Sequence, residues 1–296
     1  MRTTSIILLS DFCSGSTAVQ SEITKSPAIK RSRAVETQYW CKAAALLGMP
    51  QHDMMSSIFP MAPHVAKKAL IDFLSDNLPY YAPPNDDKTL IFDGWRRLCA
   101  NHSPYFFEKS PHHLHYWSAL QLIYQALQDL DDVEFKFIGL IRNPLDTIFS
   151  RWRQWRNNPY KSQWLWFTAY NNLLRFRELV GDRILICKYE DLVADQHQLI
   201  TTFNFLGTDP PPLWKSDLHP RSIGRWNADP YFGFHLDGTI THFAESLGYK
   251  PEEMRGRERF TWPIYWRFAK FKFRVGKMKR RMRAASHFGD SRSPIS

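Results

Sequence analysis

Cysteine is scarce in this chain. Four residues, Cys13, Cys41, Cys99 and Cys187, are scattered with no Cys-x-x-Cys pair, which excludes a disulfide framework and leaves no cysteine zinc motif. Long apolar runs are missing as well. Nothing approaches the about 18 to 20 unbroken apolar residues of a membrane-spanning helix, and Ile6 to Leu9 is too short for a secretion signal. There is no internal repeat, and low complexity is confined to Ser291 to Ser296. These absences lead to the expectation of a globular chain in a reducing, cytoplasmic setting.

What is present is an ordinary globular composition, 44% hydrophobic and 23% charged over 296 residues. The net charge of +10 is distributed unevenly. Arg255 to Arg283 holds 12 Lys and Arg against one acid, Glu258, a net of +11 that leaves the rest of the chain at −1. The basic character therefore belongs to the C-terminal stretch, and the division expected is a body over residues 1–254 with a basic amphipathic extension over 255–296.

Within the body, short apolar runs alternate with longer amphipathic stretches. The runs at Ser5 to Ser10, Thr89 to Phe92, Tyr105 to Phe107, Phe135 to Ile141 and Ile184 to Lys188 are read as buried strands. Helices are expected near 15–26, 36–48, 64–77, 112–128, 144–157, 162–180 and 195–206. This alternation predicts an α/β fold with a central parallel sheet and helices on both faces.

Three places could carry chemistry. The first strand runs through Asp11-Phe12-Cys13-Ser14-Gly15-Ser16-Thr17 into a helix, so backbone N–H groups and a helix N-terminus converge on one spot suited to an anion. No Walker lysine stands there, and a plain βα turn with hydroxyl caps has equal claim. Next, the run Phe135 to Ile141 ends at Arg142, ahead of Asn143-Pro144-Leu145-Asp146, a helix start. Arg142 would emerge at the carboxyl edge of the sheet with Ser150 two turns into the helix, a guanidinium and a hydroxyl able to grip a phosphate, unless Arg142 simply pairs with Asp146. Last, Lys188-Tyr189-Glu190-Asp191-Leu192 sets an aromatic ring at a strand end, for packing or for stacking on a base.

Taken in order, Ser14-Gly15-Ser16-Thr17, Arg142-Asn143-Pro144-x-Asp146 with Ser150, Tyr189-Glu190-Asp191-Leu192 ahead of Phe205-Leu206-Gly207, and Ile223-Gly224-Arg225-Trp226 before Leu247-Gly248-Tyr249 resemble the sulfotransferases that use 3′-phosphoadenosine 5′-phosphosulfate, across roughly residues 5 to 250. The resemblance implies a single P-loop-like domain, that nucleotide as donor and no metal. It assigns Ser14, Gly15, Ser16 and Thr17 to the 5′-phosphosulfate end, Arg142 and Ser150 to the 3′-phosphate, Tyr189 to the adenine and Arg225 to the 3′-phosphate region. Cys13 departs from the pattern, since the family usually places Lys or Arg before its Ser-Gly pair.

A replacement cation is offered by Glu108-Lys109-Ser110-Pro111-His112-His113, which resembles a segment of glycan-modifying and bacterial sulfotransferases. Lys109 is the expected active-centre cation. His112 is the first choice of general base, because an imidazole accepts a proton near neutral pH; Glu108 is second and Glu36 third. His112, His113 and His115 also fit as polar residues opening a helix. Trp152, Trp155, Trp164 and Trp166 could line an acceptor pocket, though such rings are more often core.

The extension carries Ile264, Phe268, Phe271, Val275, Met278 and Met282 on one helical stripe, with Arg and Lys over the remaining surface. A helix of this kind either docks its stripe on the body or lies on an anionic membrane surface, which would place the protein at the inner face of the membrane; nucleic acid fits least. The function expected is transfer of a sulfuryl group to a hydroxyl, or less readily an amine, of a saccharide or glycolipid, with a small metabolite or a protein tyrosine as other acceptors. The rival readings are a P-loop kinase or a degenerate nucleotide-binding and membrane-tethering protein.

Overall fold

Strand β1 (Thr3–Ser10) is buried along its whole length in the computed structural model, which describes residues 3–51 and 58–289, with side chains through 279. A strand covered on both faces has no polar side to alternate with, which is why its sequence reads as a continuous apolar run. It forms one parallel sheet with β2 (Ile29–Arg31), β3 (Tyr105–Lys109), β4 (Val133–Ile141) and β5 (Ile184–Lys188), in the order β2-β3-β1-β4-β5. Leu8 pairs with Lys109 on one side and Ile138 on the other, and Ile141 pairs with Lys188. The carboxyl ends of β1, β3, β4 and β5 thus open on one sheet edge, where open α/β sheets bind ligands.

The connecting helices are α1 (Ser16–Ile23), α2 (Tyr39–Leu46), α3 (Pro63–Asn77), α4 (Asp87–Asn101), α5 (Trp117–Asp129), α6 (Pro144–Trp155), α7 (Pro159–Val180), α8 (Tyr189–Ala194), α9 (Gln196–Leu206), α10 (Arg225–Ala228), α11 (Gly238–Ser246) and α12 (Trp262–Gly289). The α/β fold with a parallel sheet and a C-terminal helix is therefore as expected. Thr89 to Phe92, read as a strand, lies instead in α4. Asp86 accepts the Thr89 N–H and caps that helix, and Leu90, Ile91, Gly94, Trp95 and Leu98 are buried at helical spacing. A four-residue apolar run cannot by itself separate the two periods. The strand β2 went unrecognised because it is only three residues long.

Chain contacts divide the protein into two compact units, Met1–Asn143 with Trp164–Ile223, and Pro144–Gln163 with Gly224–Ser296. The first contains the sheet; one of its cores joins Ile6, Leu8, Val19, Ile138, Tyr189 and Phe203. The second is built on aromatic packing of Phe149, Trp152, Trp226, Phe232, Phe234 and Trp262. Trp152 and Trp166 are accordingly core rings rather than pocket walls, while Trp155 and Trp164 are exposed.

Candidate active site

The loop after β1 turns through two left-handed residues, Cys13 at φ 61° and Gly15 at φ 87°. Gly15 is demanded twice over: a β-carbon there would lie 2.3 Å from Cε2 of Tyr189. The helix α1 that follows carries no side-chain cap; its Ala18 N–H turns back to the Gly15 carbonyl at 3.0 Å, and no side chain caps the N–H groups ahead of it. Ser14 is buried, and its hydroxyl has no hydrogen-bond partner among the described residues. Beneath the loop, Asp11 accepts from its neighbour Phe12 N–H and from His115 Nε2, both at 2.7 Å, and Phe12 stacks on the His115 ring. That buried pair, which sequence reasoning missed, fixes the entry to the loop.

Lys109 ends β3 with its side chain sealed from solvent. Its Nζ donates to Thr17 Oγ1 at 3.1 Å and to Glu36 Oε1 at 2.9 Å, so a cation reaches the anion loop from the neighbouring strand. Glu36 is the open member of this group, with a third of its side chain exposed, 34%. Glu108 lies the other way, wholly buried. One of its oxygens accepts both the Thr37 and Ser110 hydroxyls at 2.6 Å, and the other stands 3.5 Å from His113 Nδ1. Burial pushes the Glu108 carboxyl up to about 7, against the pull of those two hydroxyls and of Lys109. Ser110 Oγ also accepts the Gln38 N–H, so Glu108 and Ser110 together hold the segment that presents Glu36. Thr37 and Ser110 flank residues already singled out, yet nothing in their spacing foretold a shared carboxylate.

The segment Pro111–His115 is a 3₁₀ turn and α5 starts only at Trp117, so the three histidines precede the helix they were expected to open. His112 is buried against Phe12, edge to face at 4.7 Å, and against Phe59. Burial lowers its pKa to about 3, with the neighbouring His115, His113, Lys109 and Lys42 acting in the same direction. It is neutral at physiological pH and a weak proton acceptor. His113, fully buried, is lowered to about 3 by the same desolvation.

Arg142 follows the end of β4 and is 96% buried, being 4% exposed. Its two terminal nitrogens donate to the carbonyls of Cys13, at 3.0 Å, and Ser222, at 2.8 Å, and its plane lies 4.8 Å from the Tyr189 ring centre. Arg142 Nε has no hydrogen-bond partner among the described residues. Loop, Tyr189 and Arg142 thus form one layered group in the first unit: Tyr189 packs on Gly15, and Arg142 packs on Tyr189. Ser150 on α6 and Arg225 opening α10 belong to the second unit, where Gly224 N–H donates to Asp146 of α6 and ties the two helices together. The geometry therefore assembles Ser14, Gly15, Ser16, Thr17, Lys109, Arg142 and Tyr189, with Glu36 beside Lys109, and sets Ser150 and Arg225 on two helices joined by that bond.

Comparisons with known proteins bear on the fold and on the family. Among solved structures, the chain is similar to the sulfotransferase domain from the Synechococcus PCC 7002 olefin synthase, at 20% identity and a TM-score of 0.60 over 84% of this chain and 95% of that one. It is likewise similar to the sulfotransferase domain from the curacin biosynthetic pathway, at 18% identity and a TM-score of 0.57 over 84% and 99%. A search of curated proteins returns no match. The sequence model of the sulfotransferase family matches residues 6–209, a span that takes in the anion loop, Lys109, Arg142 and Tyr189, and on that match the chain belongs to the sulfotransferase family.

Proposed function

We propose that the protein transfers a sulfuryl group from 3′-phosphoadenosine 5′-phosphosulfate to a hydroxyl. The observation that carries this reading is the pairing of two separate anion grips around one aromatic ring. On one side are the start of α1, which has no side-chain cap, and the Ser14 hydroxyl; on the other is the Arg142 guanidinium, which packs on Tyr189 and also holds the Cys13 carbonyl of the loop. A nucleotide with phosphates at both its 5′ and 3′ positions is the ligand class that needs two such grips. The buried Ser14 Oγ and Arg142 Nε, each without a partner among the described residues, fit that ligand. Ser150 and Arg225 enter the proposal on the family resemblance alone.

In the transfer, the acceptor oxygen bonds to sulfur while the bond from sulfur to the bridging phosphate oxygen breaks, releasing adenosine 3′,5′-bisphosphate. Catalysis of this type rests on positioning and on charge stabilisation. Lys109, touching Thr17, supplies the cation that position 13 lacks. Glu36 receives the acceptor proton: it is the exposed carboxylate on Lys109, whereas Glu108 is sealed and spends one oxygen on two hydroxyls. Glu108 is thereby a positioning residue, and His112 is a neutral, buried ring packed on Phe12. The acceptor class proposed is a saccharide or glycolipid hydroxyl. The deciding experiment supplies ³⁵S-labelled donor to enzyme and fractionated lysate in the presence of EDTA, with mass analysis of the labelled product. Label in a glycan fraction is expected; label in a small metabolite would correct the acceptor, and no transfer at all, or turnover only of ATP with Mg²⁺, would refute the function.

A further inference from the structure

Helix α12 has two apolar faces, and among the described residues only one of them packs against the protein. Trp262, Tyr265, Trp266 and Ala269 pack into the aromatic core of the second unit against Trp152, Phe232 and Phe234. At 100° per residue these lie on the side of the helix opposite the stripe of Ile264, Phe268, Phe271, Val275 and Met278. The stripe, one of whose two expected fates was to dock on the body, is instead turned outward: Ile264 is 77% exposed, Phe268 57%, Phe271 64% and Met278 57%, with Val275 half-buried. Phe260, two residues ahead of the helix, is fully exposed as well. Met282, like Arg280 and Arg281, lies outside the described side chains.

The same angles place Lys272 and Lys279 along one border of the stripe and Arg267, Arg274 and Lys270 along the other. From Trp262 to Gly289 there are nine Lys and Arg and no acid. Among the described residues no helix is long and apolar enough to cross a membrane. We infer that α12 is a membrane-surface helix, laying the Ile264–Phe268–Phe271–Met278 stripe into the interface of an anionic bilayer while the flanking cations meet lipid headgroups and the opposite face stays anchored in the protein. Three observations favour this occupant. Large apolar side chains standing in water are covered by acyl chains but not by a soluble polyanion, and cations on both borders match the headgroup layer of an interfacial helix. A second copy of the same helix would bring nine like charges against nine, which opposes pairing through this face.

The test uses the full chain and sedimentation with vesicles of phosphatidylcholine alone or with 30% phosphatidylglycerol. Binding to the anionic vesicles and not to the neutral ones is expected, weakened by 0.5 M salt. The double variant F268S/F271S should lose at least tenfold in vesicle affinity while melting as the parent does and binding adenosine 3′,5′-bisphosphate equally well, since neither ring is in the aromatic core or the nucleotide grips. Three results would overturn the inference. These are a parent chain that stays in the supernatant with anionic vesicles, a double variant that binds them as tightly as the parent, which would mark a surface read by charge alone, and a parent dimer that the double variant converts to monomer in light scattering.

Discussion

Replacing Arg142 by Ala tests the donor site at its most exposed assumption. In the structure its guanidinium holds two backbone carbonyls, Cys13 and Ser222, and lies on Tyr189, with Nε left over. Loss of a charge-assisted contact to a phosphate costs about 1.5–3 kcal/mol, or roughly ten- to hundredfold in affinity. Because Cys13 and Ser222 are only half-buried, water can take over their carbonyls, and the cost to folding falls toward the low end of the about 1–3 kcal/mol for an abandoned acceptor. Calorimetry should compare adenosine 3′,5′-bisphosphate with adenosine 5′-monophosphate, which has no 3′-phosphate. The variant should lose ten- to hundredfold for the first and less than threefold for the second, so the discrimination between the two ligands collapses. Arg142→Lys, which keeps the charge but not the fork, should fall between. Equal loss for both ligands would mean that Arg142 only props the loop, and unchanged affinity for the bisphosphate would remove the 3′-phosphate assignment altogether.

Gly15→Ala drives a methyl into Tyr189 at a left-handed position, and should abolish measurable binding of adenosine 3′,5′-bisphosphate by calorimetry while lowering the melting temperature; G15A/Y189A, with the ring removed, should recover part of the stability. Lys109→Met should lower kcat by about a hundredfold or more, as loss of an oxyanion-type donor does, and adding Cys13→Lys should restore part of it in the labelled-sulfate assay. Glu36→Gln should lower kcat at least tenfold with KM for donor unchanged, and Glu108→Gln should lower kcat less, as read in the labelled-sulfate assay. Stability should fall in mild acid. His112 and His113 have folded-state pKa values near 3, below the ordinary 6.5, so the unfolded chain takes up two protons as pH drops below about 6.5; Glu108, near 7 against 4.5, holds one proton more in the folded state down to about 4.5. The net is one proton, about 1.4 kcal/mol per pH unit lost on acidification from 6.5 to 4.5. Urea unfolding of His113→Asn across that window should give a nearly flat profile, and an unchanged slope would refute the burial argument.

How far the sequence spoke for the molecule depended on whether a feature was local. Strands β1 and β4 were legible because they are largely buried and read as apolar runs, β5 because its short apolar run is bounded by turn residues, and the anion loop because strand, glycine and helix follow one another directly. The Thr89 to Phe92 run was misread because its apolar residues are too few to define a period, and the decisive signal was the Asp86 cap outside the run. In the site, Arg142 and Lys109 could be placed from strand ends. The Lys109–Glu36 pair joins residues 73 apart, and the Asp11–His115 pair joins residues 104 apart; sequence order carries no trace of either.

The same limit separates the base from its supports. Glu36, Glu108 and His112 are equivalent as residue types, and the choice of His112 followed from the ordinary pKa of imidazole. Burial inverts that order. It takes from His112 the basicity that recommended it and spends Glu108 on two hydroxyls, so that the carboxylate left facing solvent beside Lys109 is Glu36. A proton acceptor has to meet its substrate before its pKa matters. Exposure beside Lys109 therefore sets the proposed base apart from the other two, and exposure is a property of the folded chain alone.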